Sequence, residues 1–308
     1  MPMNCAAYSH PNLLMPPHNN NSKSALSRQM KRLRQKVDQV DLKILKLLQQ
    51  RTKLSGKIGQ AKRRHRAGIY VPERERQLLA RMTRLSRGKL PSRAVMAIYR
   101  EILSGSRAAQ GQAAVGLFQS NASAILLPGR WHLGACDEFS PKKSWSELAR
   151  GLGSGALALV LLTGEDLRQV IQEKKARRQF SEQFMVAGDF FSCADSKVDL
   201  NQRIFIVIPR DKEAPAEANR MLVLIECKST VNAVKTLLNC MPRTSIHAEQ
   251  VTIRGSSMRD GAGIALVRLA AAKPFDGAKM AGNLRVANKA GMTFSILGTY
   301  LSLEDYGG

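Results

Sequence analysis

The sequence predicts a multidomain chain. An all-α segment comes first, then an α/β region, then a small α+β unit. Three observations predict this. A helical stripe of apolar residues runs unbroken from Leu26 to about Arg66. The texture changes at Val115, where short apolar runs begin to alternate with helical ones. From Asn219 a further strand–helix–strand–strand pattern appears. The 308 residues are 44% hydrophobic, enough for two or three cores of ordinary size.

The elements follow in order. Residues 1–24 are rich in Pro, Asn and Ser, lack a basic stretch followed by an apolar run, and read as a disordered tail. In the first helix Leu33, Val37, Val40, Ile44, Leu47, Leu48, Leu54 and Ile58 recur mostly at steps of three and four. A helix of about 40 residues is about 60 Å long and cannot bury its own stripe in a small domain. It needs partners, and another copy of itself is the natural one. The stretch IGQAKRRHRAGIYVPERE breaks at Gly68, and a second helix restarts at Pro72, where proline suits the first turn. It carries Leu78, Leu79, Met82 and Leu85 and stops near Gly88. A third starts near Pro91, carries Val95, Ile98, Tyr99, Ile102 and Leu103, and ends near Ala109, with a linker at 109–113.

The α/β region, 115–212, comprises VGLFQS, AILLPG, SWSELARGL, ALALVLLTG, EDLRQVIQEKKARRQF and RIFIVIP. In the last unit, 218–303, MLVLIEC is a strand, STVNAVKTLLNCM a helix, and SIHAEQVTIRG and GIALVRLAA are strands. FSILGTYL is an extended element or a helix end.

Charge narrows the partners. The net charge is +24, and residues 27–112 alone hold 23 Lys and Arg against 5 Asp and Glu. An anionic partner is implied: nucleic acid, an acidic surface or a small polyanion. The five cysteines, Cys5, Cys136, Cys193, Cys227 and Cys240, are widely spaced with no CxxC pattern, and the five histidines lack ligand spacing. Neither a disulfide framework nor a metal site is expected, and a reducing cytoplasm is. No apolar stretch reaches the roughly 18 residues of a membrane span.

Within the helical segment Arg51 and Lys62 lie 11 positions apart, which puts them on one helix face about 16 Å apart. Arg34 is 17 positions before Arg51, about 25 Å away and off that face, so it reaches the same ligand only from a partner chain. Ser106 and Gln110 share a face of the third helix, and Arg74 and Glu75 open the second. Taken singly, each is an ordinary solvated side chain.

Taken in order, LRQKVDQVDLKILKLLQQRTKLSGKIGQAK, IYVPERE and IYREILSGSRAAQ resemble the all-helical chorismate mutase family, in the form fused to prephenate dehydratase. The resemblance covers 25–112. It implies an intertwined homodimer in which Arg34 enters the partner's site, and a site that holds chorismate without cofactor or metal. Arg34, Arg51, Arg74 and Ser106 correspond to substrate-binding positions, and Lys62, Glu75 and Gln110 to catalytic ones. A family position that is often acidic is Val71 here. Chorismate is a dianion, and its rearrangement to prephenate is pericyclic. The site must hold a compact conformer and aim donors at the ether oxygen as the C–O bond breaks. Arginines suit the carboxylates, Lys62 and Gln110 the ether oxygen, and Glu75 the ring hydroxyl. Arg74 is expected to brace Glu75, with Glu75 opposite Lys62.

The second half departs from its counterparts. LNQRIFIVIP stands where dehydratases have an Asn-x-Thr-Arg-Phe-like strand, and Gln202 replaces the catalytic Thr before Arg203. ILGTY looks like the Leu-Gly-Ser-Tyr ending of an ACT domain. The usual Gly-Ala-Leu reads Asn232-Ala233-Val234, and Glu-Ser-Arg-Pro reads Thr252-Ile253-Arg254-Gly255. The expectation is a chorismate mutase with a degenerate, non-catalytic dehydratase–ACT-like half. Two alternatives are a bifunctional enzyme with a divergent second site and a basic helical dimer that binds nucleic acid. The helical segment has few aromatic stacking residues, so nucleic acid is not the expected partner.

Overall fold

A computed structural model describes residues 20–65, 70–111, 114–191, 202–210, 217–227, 230–240, 246–254, 263–275, 280, 282–284 and 292–301. Most of the N-terminal tail, the Gly68 break, residues 112 and 113 of the linker, Cys5, Cys193 and Gly255 lie outside the described residues. So do the side chains of Asn232, Ala233, Thr252, Ile253, Arg254 and Cys240. Among the described residues no helix is long and apolar enough to cross a membrane, and no cluster of His, Cys, Asp and Glu could hold a metal ion.

The chain divides into two compact units, 1–51 and 52–308. Helix α1 spans Asn20–Arg64 and so begins in the first and ends in the second. In the first unit the predicted stripe stands exposed: Leu26, Met30, Leu33, Val37, Val40, Ile44 and Leu47 each keep 43% or more of their surface.

The second unit opens with the end of α1 and two further helices, α2 (Pro72–Ser86) and α3 (Ser92–Ala109). Pro72 occupies the first turn of α2, and Glu73 and Glu75 there favour the positive end of the helix dipole. α2 stops at Ser86 because Arg87 turns left-handed (φ 50°), and Gly88 follows at φ 74°.

An α/β layer follows: β1 (Ala114–Phe118), α4 (Ala122–Leu133), β2 (Phe139–Lys142), α5 (Trp145–Ser154), β3 (Leu157–Thr163), α6 (Gly164–Gln172), α7 (Lys174–Gln183), β4 (Phe184–Phe191) and β5 (Arg203–Pro209). Its sheet runs β2-β1-β3-β5-β4. β1 pairs in parallel with β2 and β3, which requires the crossover helices α4 and α5, while β5 pairs antiparallel with β3 and β4. α5 starts where Ser144 accepts from the Glu147 amide, and α6 starts with a reciprocal Thr163–Asp166 capping box. The predicted AILLPG run lies within α4, and the run EDLRQVIQEKKARRQF splits into α6 and α7 at Glu173, which turns extended (ψ 117°). β4, FMVAGDFF, was not among the predicted elements.

The remaining elements are β6 (Arg220–Cys227), α8 (Thr230–Cys240), β7 (Ile246–Arg254), β8 (Gly263–Ala271) and β9 (Thr293–Tyr300), with antiparallel order β7-β8-β6-β9. FSILGTYL is therefore a strand. Alternation along β6 divides the packing. Met221, Val223 and Ile225 join Leu237 of α8, while Leu222 and Leu224 join a core shared with Phe180, Phe184 and Val186 of the α/β layer.

The two sheets approach closely at Gly298 of β9. A Cβ built there would lie 2.0 Å from the Val186 carbonyl oxygen of β4. Both groups are backbone, so neither can swing aside. Gly298→Ala is expected to lower unfolding free energy by about 1–3 kcal/mol, the usual effect of overpacking. A urea midpoint indistinguishable from the parent protein would show that β9 does not seat on β4.

Candidate functional site

The end of α1 meets the end of α3 through a glycine. A Cβ at Gly59 would lie 2.5–2.8 Å from the O, Cα and Cβ of Gln110, so only glycine lets the two helices approach this closely. Gln110 caps α3, its backbone carbonyl accepts from Arg63, and its Oε1 is buried with no hydrogen-bond partner among the described residues. One turn earlier, buried Ser106 donates its hydroxyl to the Ile102 carbonyl at 2.6 Å.

Lys62, in the last turn of α1, is half-buried and feels Glu75 at the start of α2. Burial lowers the ammonium pKa, and the Glu75 carboxylate pulls it back up. Conversely, burial raises the Glu75 carboxyl, and Arg107 and Lys62 pull it down. The two groups therefore act on each other electrostatically.

The arginine that braces Glu75 is not the predicted one. Arg74 is exposed, because at the N-terminal turn of α2 it points away from its neighbour's side. Arg107 of α3 takes both oxygens of Glu75, at 2.5 and 2.6 Å. The other side of the same guanidinium binds Asp137, from the loop between α4 and β2, at 2.7 and 3.2 Å. It also donates to the Leu133 carbonyl and lies 5.7 Å from the Tyr70 ring centroid. Sequence reasoning missed Arg107 and Asp137. Arg107 is one cation among many in this segment, and its acidic partner comes 30 residues later in another layer.

Arg34 and Arg51 belong to the first unit. Arg34 is exposed and Arg51 is partly buried, both on α1. Gln202 is exposed, and Arg203 begins β5 as a buried residue whose guanidinium stacks over Phe191 at 4.0 Å and pairs with Asp189 at 3.2 Å.

Residues 33–111 match the family described as chorismate mutase type II, and that span contains all seven candidate positions. A bifunctional chorismate mutase/prephenate dehydratase of Aquifex aeolicus (strain VF5) is 41% identical over 80 residues, covering 25% of this chain and 22% of that protein. One of Neisseria gonorrhoeae (strain ATCC 700825 / FA 1090) is 37% identical over 71 residues, 23% and 19% of the two. The matches thus span about a fifth of the length of these curated relatives. Among solved structures, the prephenate dehydratase of Streptococcus mutans covers 62% of this chain and 99% of its own at 9% identity and TM-score 0.39. That of Staphylococcus aureus subsp. aureus Mu50 covers 61% and 100% at 8% and 0.41. A protein described as a novel type of quorum-quenching acylase covers 61% and 94% at 14% and 0.45.

Proposed function

We propose that the chorismate mutase type II domain at residues 33–111 converts chorismate to prephenate, serving aromatic amino acid biosynthesis. The observation that carries this reading is the family match over residues 33–111, which holds Gln110 and the electrostatically coupled Lys62 and Glu75. In this reading Lys62 and Gln110 donate to the ether oxygen as it gains charge, and Glu75 accepts from the ring hydroxyl. Arg51, Ser106 and Arg74 hold the substrate carboxylates and the site wall, and Arg34 arrives from a second copy. Two features support the second copy: the exposed apolar stripe of α1 and the position of Arg34 far from Arg51 on one helix. No step needs a nucleophile or a cofactor, because the rearrangement is intramolecular.

In the same reading residues 115–212 are a non-catalytic dehydratase-like remnant and 218–303 an ACT-like unit. The engagement of Arg203 by Asp189 and Phe191, next to Gln202, favours this, since it occupies the arginine that a dehydratase strand would present to substrate.

The test is conversion of chorismate by the purified full-length protein beside Arg51→Ala. Prephenate is expected to accumulate, and kcat/KM in the variant is expected to fall roughly 10²-fold or more, the effect of removing a charged substrate contact. Phenylpyruvate in the product would overturn the non-catalytic reading of the second half. Absence of any turnover would overturn the mutase reading itself.

A further inference from the structure

We propose that Arg107 and Asp137 are positioning residues for the candidate site, so that a loop of the α/β layer fixes the place of Glu75. The inference rests on the mutase reading for its use, but its geometry stands apart from it. The Arg107 side chain is 4% exposed and that of Asp137 is 1% exposed. A guanidinium has five N–H donors. Here Nε and Nη2 serve Asp137, Nη2 also serves the Leu133 carbonyl, and Nη1 serves both oxygens of Glu75. The fork is therefore spent between two carboxylates, and its plane dictates where the Glu75 carboxylate lies.

Asp137 is held in turn. Ser104 of α3 donates to its Oδ2 at 3.1 Å and accepts from the Cys136 amide at 3.0 Å. Glu101 accepts from the Ala135 amide at 3.0 Å. Gly134, at φ 107°, brings this loop so near α3 that a Cβ would lie 2.5 Å from that of Ser104. The loop cannot shift without α3 shifting, and α3 carries Ser106 and Gln110.

Three charged groups meet here, Glu75 from α2, Arg107 from α3 and Asp137 from the loop, and Lys62 from α1 acts on Glu75 electrostatically. Two cations balance two anions. Burial raises the Glu75 carboxyl, Arg107 opposes that rise, and Asp137 adds to it. An ionised Glu75 is the form that accepts from a substrate hydroxyl, so this set controls the acid side of the reaction.

The two ends of the fork make opposite predictions, which a merely structural role does not. Arg107→Met removes a cation that holds the Glu75 carboxyl down, and Glu75 should then titrate higher. Asp137→Asn removes an anion while keeping an acceptor for Nε, and Glu75 should titrate lower. Both are measured in the full-length protein by carboxyl NMR of Glu75 and by the acid limb of kcat/KM for chorismate. Limbs moving in opposite directions, with the Glu75 titration following, would support the proposal. Folded variants whose Glu75 titration matches the parent protein would overturn it. Should Arg107→Met fail to fold, Asp137→Asn decides alone, and an unmoved titration overturns the proposal. If the parent protein shows no turnover, the mutase reading fails, and the Glu75 titration still decides the coupling.

Discussion

Lys62→Ala is expected to lower kcat/KM for chorismate roughly 10²–10³-fold, the effect of removing one preorganised donor from a developing oxyanion. The expectation follows from the chemistry and from the place of the side chain. A pericyclic rearrangement offers the protein no bond to attack, so acceleration must come from conformer selection and from charge placed at the ether oxygen. Lys62 is the cation at the end of α1 that burial partly strips of water, and a desolvated donor acts more strongly than a hydrated one. The same desolvation yields a pH signature. Burial lowers the Lys62 pKa from 10.5, with Glu75 opposing. The cation is present below that pKa and lost above it, so kcat/KM should decline on the alkaline side at a pH below the ordinary lysine range. Lys62→Arg should push that decline out of the measurable range, since a guanidinium keeps its proton. Steady-state rates from pH 6 to about 10.5 check both statements. A loss smaller than about fivefold in Lys62→Ala, or an unchanged alkaline limb in Lys62→Arg, would remove Lys62 from the role given to it.

The helical segment was legible because its signals are local. An unbroken stripe with period 3.6 becomes α1, and Pro72 and Pro91 mark the starts of α2 and α3 to within a residue. The two alternatives at FSILGTYL could not be separated from sequence, because β9 owes its form to ladder partners in β6 that lie 67–80 positions away. The order of the motifs implies Lys62 opposite Glu75, whereas nothing local marks the brace on Glu75. Arg74 adjoins Glu75 in sequence, yet neighbours on a helix do not face each other, and the guanidinium comes from Arg107 instead. Asp189 left a fainter trace, a single acid inside the apolar run FMVAGDFF. Such a residue is either exposed or paired in the core, and deciding which needs Arg268 and Tyr300, from two strands of the other sheet.

That trace leads to the largest expected effect on stability. Asp189 of β4 is fully buried. Its Oδ2 accepts from Arg268 Nε at 2.7 Å and from the Tyr300 hydroxyl at 3.0 Å, and its Oδ1 accepts from Arg268 Nη2 at 3.3 Å and lies 3.2 Å from Arg203 Nη1. Arg268 and Tyr300 are equally enclosed, on β8 and β9, so one carboxylate joins the two sheets. Burial pushes the Tyr300 phenol far above its ordinary value, which keeps it a neutral donor at any physiological pH. Asp189→Ala would leave two buried arginines without their shared counter-charge. The expected loss is about 3–5 kcal/mol of unfolding free energy, the range found when one partner of a buried ion pair is removed. Asp189→Asn should lose less, because it keeps an acceptor for Tyr300. Combining Asp189→Leu with Arg268→Met should recover part of the loss, because a matched apolar pair leaves fewer charges stranded. Urea denaturation of the full chain measures all three. A change below about 1 kcal/mol in Asp189→Ala would mean that water reaches this cluster and that the sheets are held by their apolar core alone.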